Sequence, residues 1–284
     1  MKKDVYEMVT DRIIEQLEKG YIPWQKPWTG VHDGAYNRIS NKPYSLLNQM
    51  LLSKTGEYAS FKQWTELGGH IRKGEKAEIV TFWKLQPIEK ENEDGEKVIK
   101  QIPLLRYYNV FHISQVEGVE PKSIELNELQ PIEEAERIKT EYMQREHIKI
   151  LEKVTDKAFY SPSLDYIQVP CKEQYQNIEE YYSTLFHEIT HSTGHMTRLD
   201  RLEASNKAHF GTESYSKEEL VAEIGSATLI NKLGIESSKS FNNSTAYIQS
   251  WLRALRNDKK FIVSASSKAE KAVKYIVEQL FISD

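Results

Sequence analysis

The sequence predicts an α+β fold in two domains: an N-terminal α+β half, and a mostly helical C-terminal half with a small sheet. Three observations carry this. A chain of 284 residues is long enough for two cores. Ala77 to Leu85 and Ile102 to Ile113 are rich in β-branched and aromatic residues, whereas the second half reads mostly as helices with short strands. Between them VEGVEPKSIELNELQPIEEAE (Val116 to Glu136) has two prolines, many acids and no periodicity, which reads as a linker with a boundary near residue 127.

DVYEMVTDRIIEQLEKG (Asp4 to Gly20) sets Val5, Val9, Ile13 and Leu17 four apart, an amphipathic helix stopped by a glycine. In YIPWQKPW, Pro23 and Pro27 forbid regular structure, while Trp24 and Trp28 need something to pack on. Tyr44 to Leu52 and Ser60 to Leu67 read as short helices, the second closed by Gly68-Gly69. Ala77 to Leu85 and Ile102 to Ile113 read as two strands of a meander, with the acidic ENEDGEK between them as a turn. In the second half, helices are expected over about 131–145, 178–192, after Ser216, 244–256 and 267–280, with strands near 148–151 and 166–169.

Composition excludes several classes. A net charge of −4 gives no global basic character on which to argue nucleic-acid binding. The single cysteine, Cys171, allows no internal disulfide and fits a reducing cytoplasm, the expected location. The opening MKKDVYEMVTD carries Asp4, Glu7 and Asp11 where a secretory leader would be apolar. No stretch approaches the ~18 apolar residues of a membrane helix, so no membrane partner is expected.

FHEITHSTGHMTRLD (Phe186 to Asp200) holds the strongest motif. His187 and His191, four apart, share one helical face, so both imidazoles can bind one cation. Such a site takes three protein ligands and leaves room for water, with zinc the default metal and manganese, cobalt or iron also acceptable. Glu188 stands beside them as candidate general base. A metzincin would need a third histidine at position 197, which is Thr197; His195 is two residues early. The gluzincin alternative takes a carboxylate from a second helix. SYSKEELVAEIGSA (Ser214 to Ala227) offers Glu219 as ligand and Glu223 to orient a ligand histidine. A rival reading makes Ser216 to Glu219 a capping box, which would move the ligand to Glu223. His195 and His209 read as loop histidines, Cys171 as inert, and Tyr181, Tyr182 and Tyr215 as packing.

Between Gly34 and Lys84 there are 8 Lys/Arg against 4 Asp/Glu, interleaved with aromatics. Cations along a backbone and flat faces for unpaired bases suit single-stranded nucleic acid read without sequence preference. Arg38, Tyr44, Trp64, Arg72, Lys73, Lys76 and Trp83 are the candidate contacts, with GGHIRKGEKA (Gly68 to Ala77) the densest point.

Taken together the chain resembles the ArdC family of antirestriction proteins. The resemblance rests on DVYEMVTDRIIEQLEKG, PWQKPW, the Asn37 to Tyr44 run and GGHIRKGEKAEIVTFWK in the first half. In the second it rests on FYSPSLDYIQVP, YYSTLFHEITHSTGHMTRL, KEELVAEIGSA and AYIQSWLRALRNDKKF. It implies a single-stranded-DNA-binding domain over 1–127 and a zincin-like metallopeptidase domain over 128–284. It also implies a mobile-element protein that shields incoming DNA from restriction, with His187, Glu188 and His191 as its metal and catalytic motif. The alternatives are a peptidase that cleaves a host protein, with the first half as docking domain, and a DNA-binding protein with a silent metal site.

Overall fold

Asp4 opens the first helix with a reciprocal cap. Its carboxylate accepts from the Glu7 N–H at 2.8 Å, and the Glu7 side chain reaches back to the Asp4 N–H. Helix α1 (Val5–Glu18) then buries Val9, Ile13 and Leu17 on the face the spacing predicts. The computed structural model describes residues 4–19, 21–25, 34–91, 97–122, 131–155, 157–175, 177–202, 213–235 and 244–277. The expectations for Trp28, His209 and the 127 boundary lie outside the described residues.

Strand β1 (Ala35–Asn37), helix α2 (Leu46–Leu51), strand β2 (Gly56–Ala59), helix α3 (Phe61–Glu66) and strand β3 (His70–Ile71) follow. The long pair β4 (Glu78–Glu91) and β5 (Lys97–His112) comes next, then β6 (Val116–Glu117). The sheet order is β1-β2-β5-β4, with β1 and β2 parallel and the rest antiparallel, while β3 and β6 form a separate ribbon. The β4–β5 hairpin extends further than expected, pairing as far as Glu91 with Lys97. Cross-strand partners such as Lys97 and Glu89, 3.5 Å apart, let the ladder continue in solvent where the acidic run suggested a loop. The linker reading also fails at its start. Val116 and Glu117 are paired with Ile71 and His70, and the Lys122 N–H donates to the buried Glu57 carboxylate at 2.7 Å.

Helix α4 (Pro131–Glu146) leads to β7 (Lys149–Lys153), β8 (Phe159–Ser161) and β9 (Tyr166–Pro170), a three-stranded sheet of order β7-β9-β8. Helices α5 (Ile178–Ser192), α6 (Glu213–Lys232), α7 (Ser244–Asn257) and α8 (Phe261–Val277) complete the chain. The last begins six residues before its expected start. The Asp258 side chain accepts from the Lys260 N–H, and Phe261 and Ile262 are drawn into the core. Among the described residues no helix is long and apolar enough to cross a membrane.

Two large cores decide how these elements sit. One joins Val9, Ile13, Trp24, Leu46 and Met50 to Leu220, Ile224, Trp251 and Phe261, so α1 and α2 pack with α6, α7 and α8. The other lies between α5 and the β7–β9 sheet, through Tyr182, Leu185, Phe186, Ile167 and Val169. Helix α6 contributes to both, with Leu220 and Ile224 in the first, Leu229 and Ile230 in the second. A helix covered on nearly every side has no polar face to keep, which explains its run of buried residues from Leu220 to Ala222 and Ile224 to Asn231.

Candidate metal centre

Helix α5 starts at Asn177, whose side chain accepts from the Glu180 N–H at 2.9 Å. Its apolar face, with Tyr182, Leu185, Phe186 and Ile189, is committed to the sheet, which turns His187 and His191 toward α6. The two helices come together at Gly225. A Cβ there would lie 2.6 Å from Thr190 Cγ2, so the crossing requires a residue without a side chain. Nearby the Ser226 hydroxyl donates to the Ser183 carbonyl at 2.7 Å. Gly225→Ala gains about 1 kcal/mol of helix propensity but overpacks the crossing by about 1–3 kcal/mol. The expected net result is a lower melting temperature in a thermal melt, opposite to the usual effect of alanine in a helix.

At this crossing His187, His191 and Glu219 each present one ligand atom, all within 4.8 Å of one another. The two Nε2 atoms are 3.1 Å apart, and Glu219 reaches them at 3.5 Å (His187) and 3.4 Å (His191). The far nitrogens face other carboxylates: His187 Nδ1 lies 3.7 Å from Glu223 and His191 Nδ1 3.5 Å from Glu218. Helix α6 begins at Glu213, so Ser216 is inside the helix and cannot cap it, which removes the rival role for Glu219. Glu188 is buried on α5 between the two histidines in sequence, with 7 % of its surface exposed.

The electrostatics follow from this packing. Burial alone would push His191 down, but the Glu218 and Glu219 carboxylates outweigh it and bring it up to about 10. His187 is raised in the same way, against its burial, chiefly by Glu219. Burial favours the neutral acid at Glu219, yet the two imidazoles hold it well below the usual carboxylate range. Glu223, buried and near Glu219, is pushed up. The site therefore holds an excess of negative side chains around paired imidazoles, the donor set a divalent cation would replace protons on. Oxygen and imidazole nitrogen ligands at this spacing fit zinc or manganese.

Sequence reasoning missed Glu218 and Arg201. Arg201 donates to Glu218 at 2.9 Å, to the Thr193 hydroxyl at 2.7 Å and to the Thr190 carbonyl, tying the end of α5 to α6. KEEL shows two adjacent acids, and nothing in the string says which imidazole each one meets. The His195 ring bonds to the Thr197 hydroxyl at 2.8 Å in the turn after α5, consistent with a loop histidine. Tyr181 and Tyr182 are fully buried, donating to Glu152 and Glu136.

The expected nucleic-acid contacts do not form one surface. Trp64 is fully buried with its indole N–H on the Phe111 carbonyl at 2.9 Å, so it offers no stacking face. A tryptophan on a six-residue helix has more apolar area to gain from the core than from solvent. Arg38 is paired with the buried Glu57, and Tyr44 is half-buried against Tyr58. Arg72 is held by Glu75 and the Ser114 carbonyl, leaving Lys73 and Lys76 exposed around the Gly74 turn. Trp83 is 52% exposed on the hairpin, away from that turn.

Comparison with known proteins places the two halves. Residues 3–111 match the N-terminal domain of the anti-restriction factor ArdC, and residues 136–268 match a zincin-like metallopeptidase family. A DNA primase TraC of Escherichia coli is 34% identical over 305 residues, covering 98% of this chain. The chain spans only 27% of that primase and 20% of a second TraC from the same organism. Uncharacterized protein y4eC of Sinorhizobium fredii (strain NBRC 101917 / NGR234) is 31% identical and is covered over 92% of its length. The crystal structure of the antirestriction ArdC protein from the R388 plasmid, metal-free, superposes with a TM-score of 0.75 at 35% identity, covering 97% of both chains. Its Mn(II)-bound structure gives 0.77 at 33% identity. With both halves matched in order and the likeness running along nearly its whole length, the chain belongs to the ArdC family.

Proposed function

We propose that this chain is an antirestriction protein of a mobile element that binds single-stranded DNA without sequence preference and carries a zinc-dependent peptidase site. The observation that carries the peptidase part is the convergence of His187, His191 and Glu219, with Glu188 beside them and one carboxylate behind each imidazole. The Mn(II)-bound relative and the zincin-like match support a divalent metal. The DNA part is supported by the N-terminal ArdC match and by the relatives named DNA primase.

A divalent cation held there would supply Lewis acidity to a scissile carbonyl. The chain's own groups do the rest. Glu223 and Glu218 hold His187 and His191 in orientation through Nδ1. Arg201 fixes Glu218 in turn. The Glu188 carboxylate accepts a proton from the attacking water and returns it to the departing amine. Glu188→Gln is expected to retain stoichiometric zinc, read by calorimetry, while cleavage of fluorescent casein falls about a hundredfold to ten-thousandfold. Equal cleavage by wild type and variant would sink the peptidase reading. Zinc uptake with no cleavage by the wild type would favour a DNA-binding protein with a silent metal site.

A further inference from the structure

Strand alternation divides the β4–β5 hairpin into two unlike faces. Register pairs Val80 with Tyr108, Phe82 with Arg106 and Lys84 with Leu104, so these residues share one face. Trp83, paired with Leu105, belongs to the other. At the hairpin base that second face is committed to the fold: Leu105 joins the core of α1 and α2, and the Thr81 backbone exchanges hydrogen bonds with Asn48. Farther out it carries Trp83, Leu85 and Ile99, all exposed, and its cation Lys97 is paired with Glu89.

The first face has a different chemistry. Phe82 and Tyr108 are 42% and 37% exposed, with ring centroids 5.8 Å apart and planes inclined by 59°. Arg106 sits directly across from Phe82, with Lys84 next along β4 and Lys100 farther out on β5, all exposed. No ion pair is formed by these cations among the described residues, whereas Arg12, Arg38 and Arg72 are all held by glutamates. Glu78, the acid on this face at the base, is engaged by Arg12, Ser53 and Tyr58. Exposed aromatic rings flanked by unpaired cations, with no free carboxylate between them, match a chain of phosphates carrying unstacked bases. An apolar peptide partner would give the rings a use but not the cations.

We infer that a single-stranded polynucleotide lies along the Phe82–Tyr108–Arg106 face of the hairpin, bases on the two rings and phosphates on Arg106, Lys84 and Lys100. The inference rests on the single-strand reading above and gives it a place. From Tyr108 to Lys100 the face is about 26 Å long at ~3.3 Å per residue, enough for several nucleotides. Trp83 and Trp64 are not part of it. The expected turn at Lys73 and Lys76 is the competing location.

The test is fluorescence anisotropy with the full chain, labelled oligo-dT and oligo-U, at two salt concentrations. Phe82→Ala is expected to weaken binding about fivefold or more. Arg106→Gln is expected to reduce the salt slope by about one contact. Leu85→Ser, exposed on the opposite face, is expected to bind as wild type, and thermal melts of each variant check the fold. Comparable loss on oligo-U extends the site to RNA; loss on oligo-dT alone restricts it to DNA. Wild-type affinity in both hairpin variants, with loss in Lys73→Gln/Lys76→Gln, would overturn the location while leaving single-strand binding intact. Absence of binding by the wild type would remove the parent reading as well.

Discussion

Glu219→Ala is expected to lower zinc or manganese affinity by on the order of a thousandfold or more, read by isothermal calorimetry on the full chain. Its carboxylate is the only one among the described residues that approaches Nε2 of both histidines. Glu223→Ala and Glu218→Ala leave all three ligand atoms in place and remove only what steers the imidazoles from behind. A loss of about tenfold to a hundredfold is expected for each. A larger loss in Glu223→Ala than in Glu219→Ala would transfer the ligand role to Glu223. Equal, small losses in all three would place the cation elsewhere.

The second large effect is on stability. Arg198 has 1% of its side chain exposed and joins three elements. It donates to the Ser192 carbonyl at the end of α5 at 2.7 Å, to the Tyr160 hydroxyl on β8 at 3.2 Å, and to Asp165 in the β8–β9 turn. Arg198→Met keeps the aliphatic bulk but strands a carbonyl and a carboxylate, and about 3–5 kcal/mol of stability is expected to be lost in urea titration. Asp165 keeps 31% exposure and can regain water, which favours the lower end. Adding Asp165→Asn to Arg198→Met is expected to recover part of the loss; strict additivity would show that the pair is not coupled. Acid reports on the same pair. Burial would raise the Asp165 carboxyl, but Arg198 and Tyr160 hold it below the usual aspartate range. Its contribution is therefore full above the unfolded value of about 3.9 and fades as pH falls through the lower folded value.

Several elements were legible as strings. Helix α1 is written in a four-residue apolar repeat and a capping pair, both local, and its bounds matched within two residues. The H-E-x-x-H turn is equally local, since two histidines four apart must share a helical face wherever the helix goes. Strands β1, β2, β3, β6 and β8 were missed because two to four residues are too few to show a period. The hairpin was cut short because its outer rungs carry Lys, Glu and Ile in a pattern that solvent and ladder pairing accept equally well. Among aromatics the string could not separate Trp64, fully buried, from Phe82 and Trp83, both exposed. Parity alone puts Phe82 and Trp83 on opposite faces, but which face the core takes depends on what packs there.

The sequence by itself determined the α+β class, the helices that carry the chemistry, and the residue types able to bind a cation, because each depends on spacing along one element. Tertiary structure decided the rest. It set α1 and α2 against α6, α7 and α8, brought α6 to α5 at Gly225, and so gave Glu218 and Glu223 one histidine each and Glu219 both. An amphipathic stripe states that a face will be covered but not by what. Burial is non-directional, and only the packing of the whole chain chooses among the faces that could satisfy it.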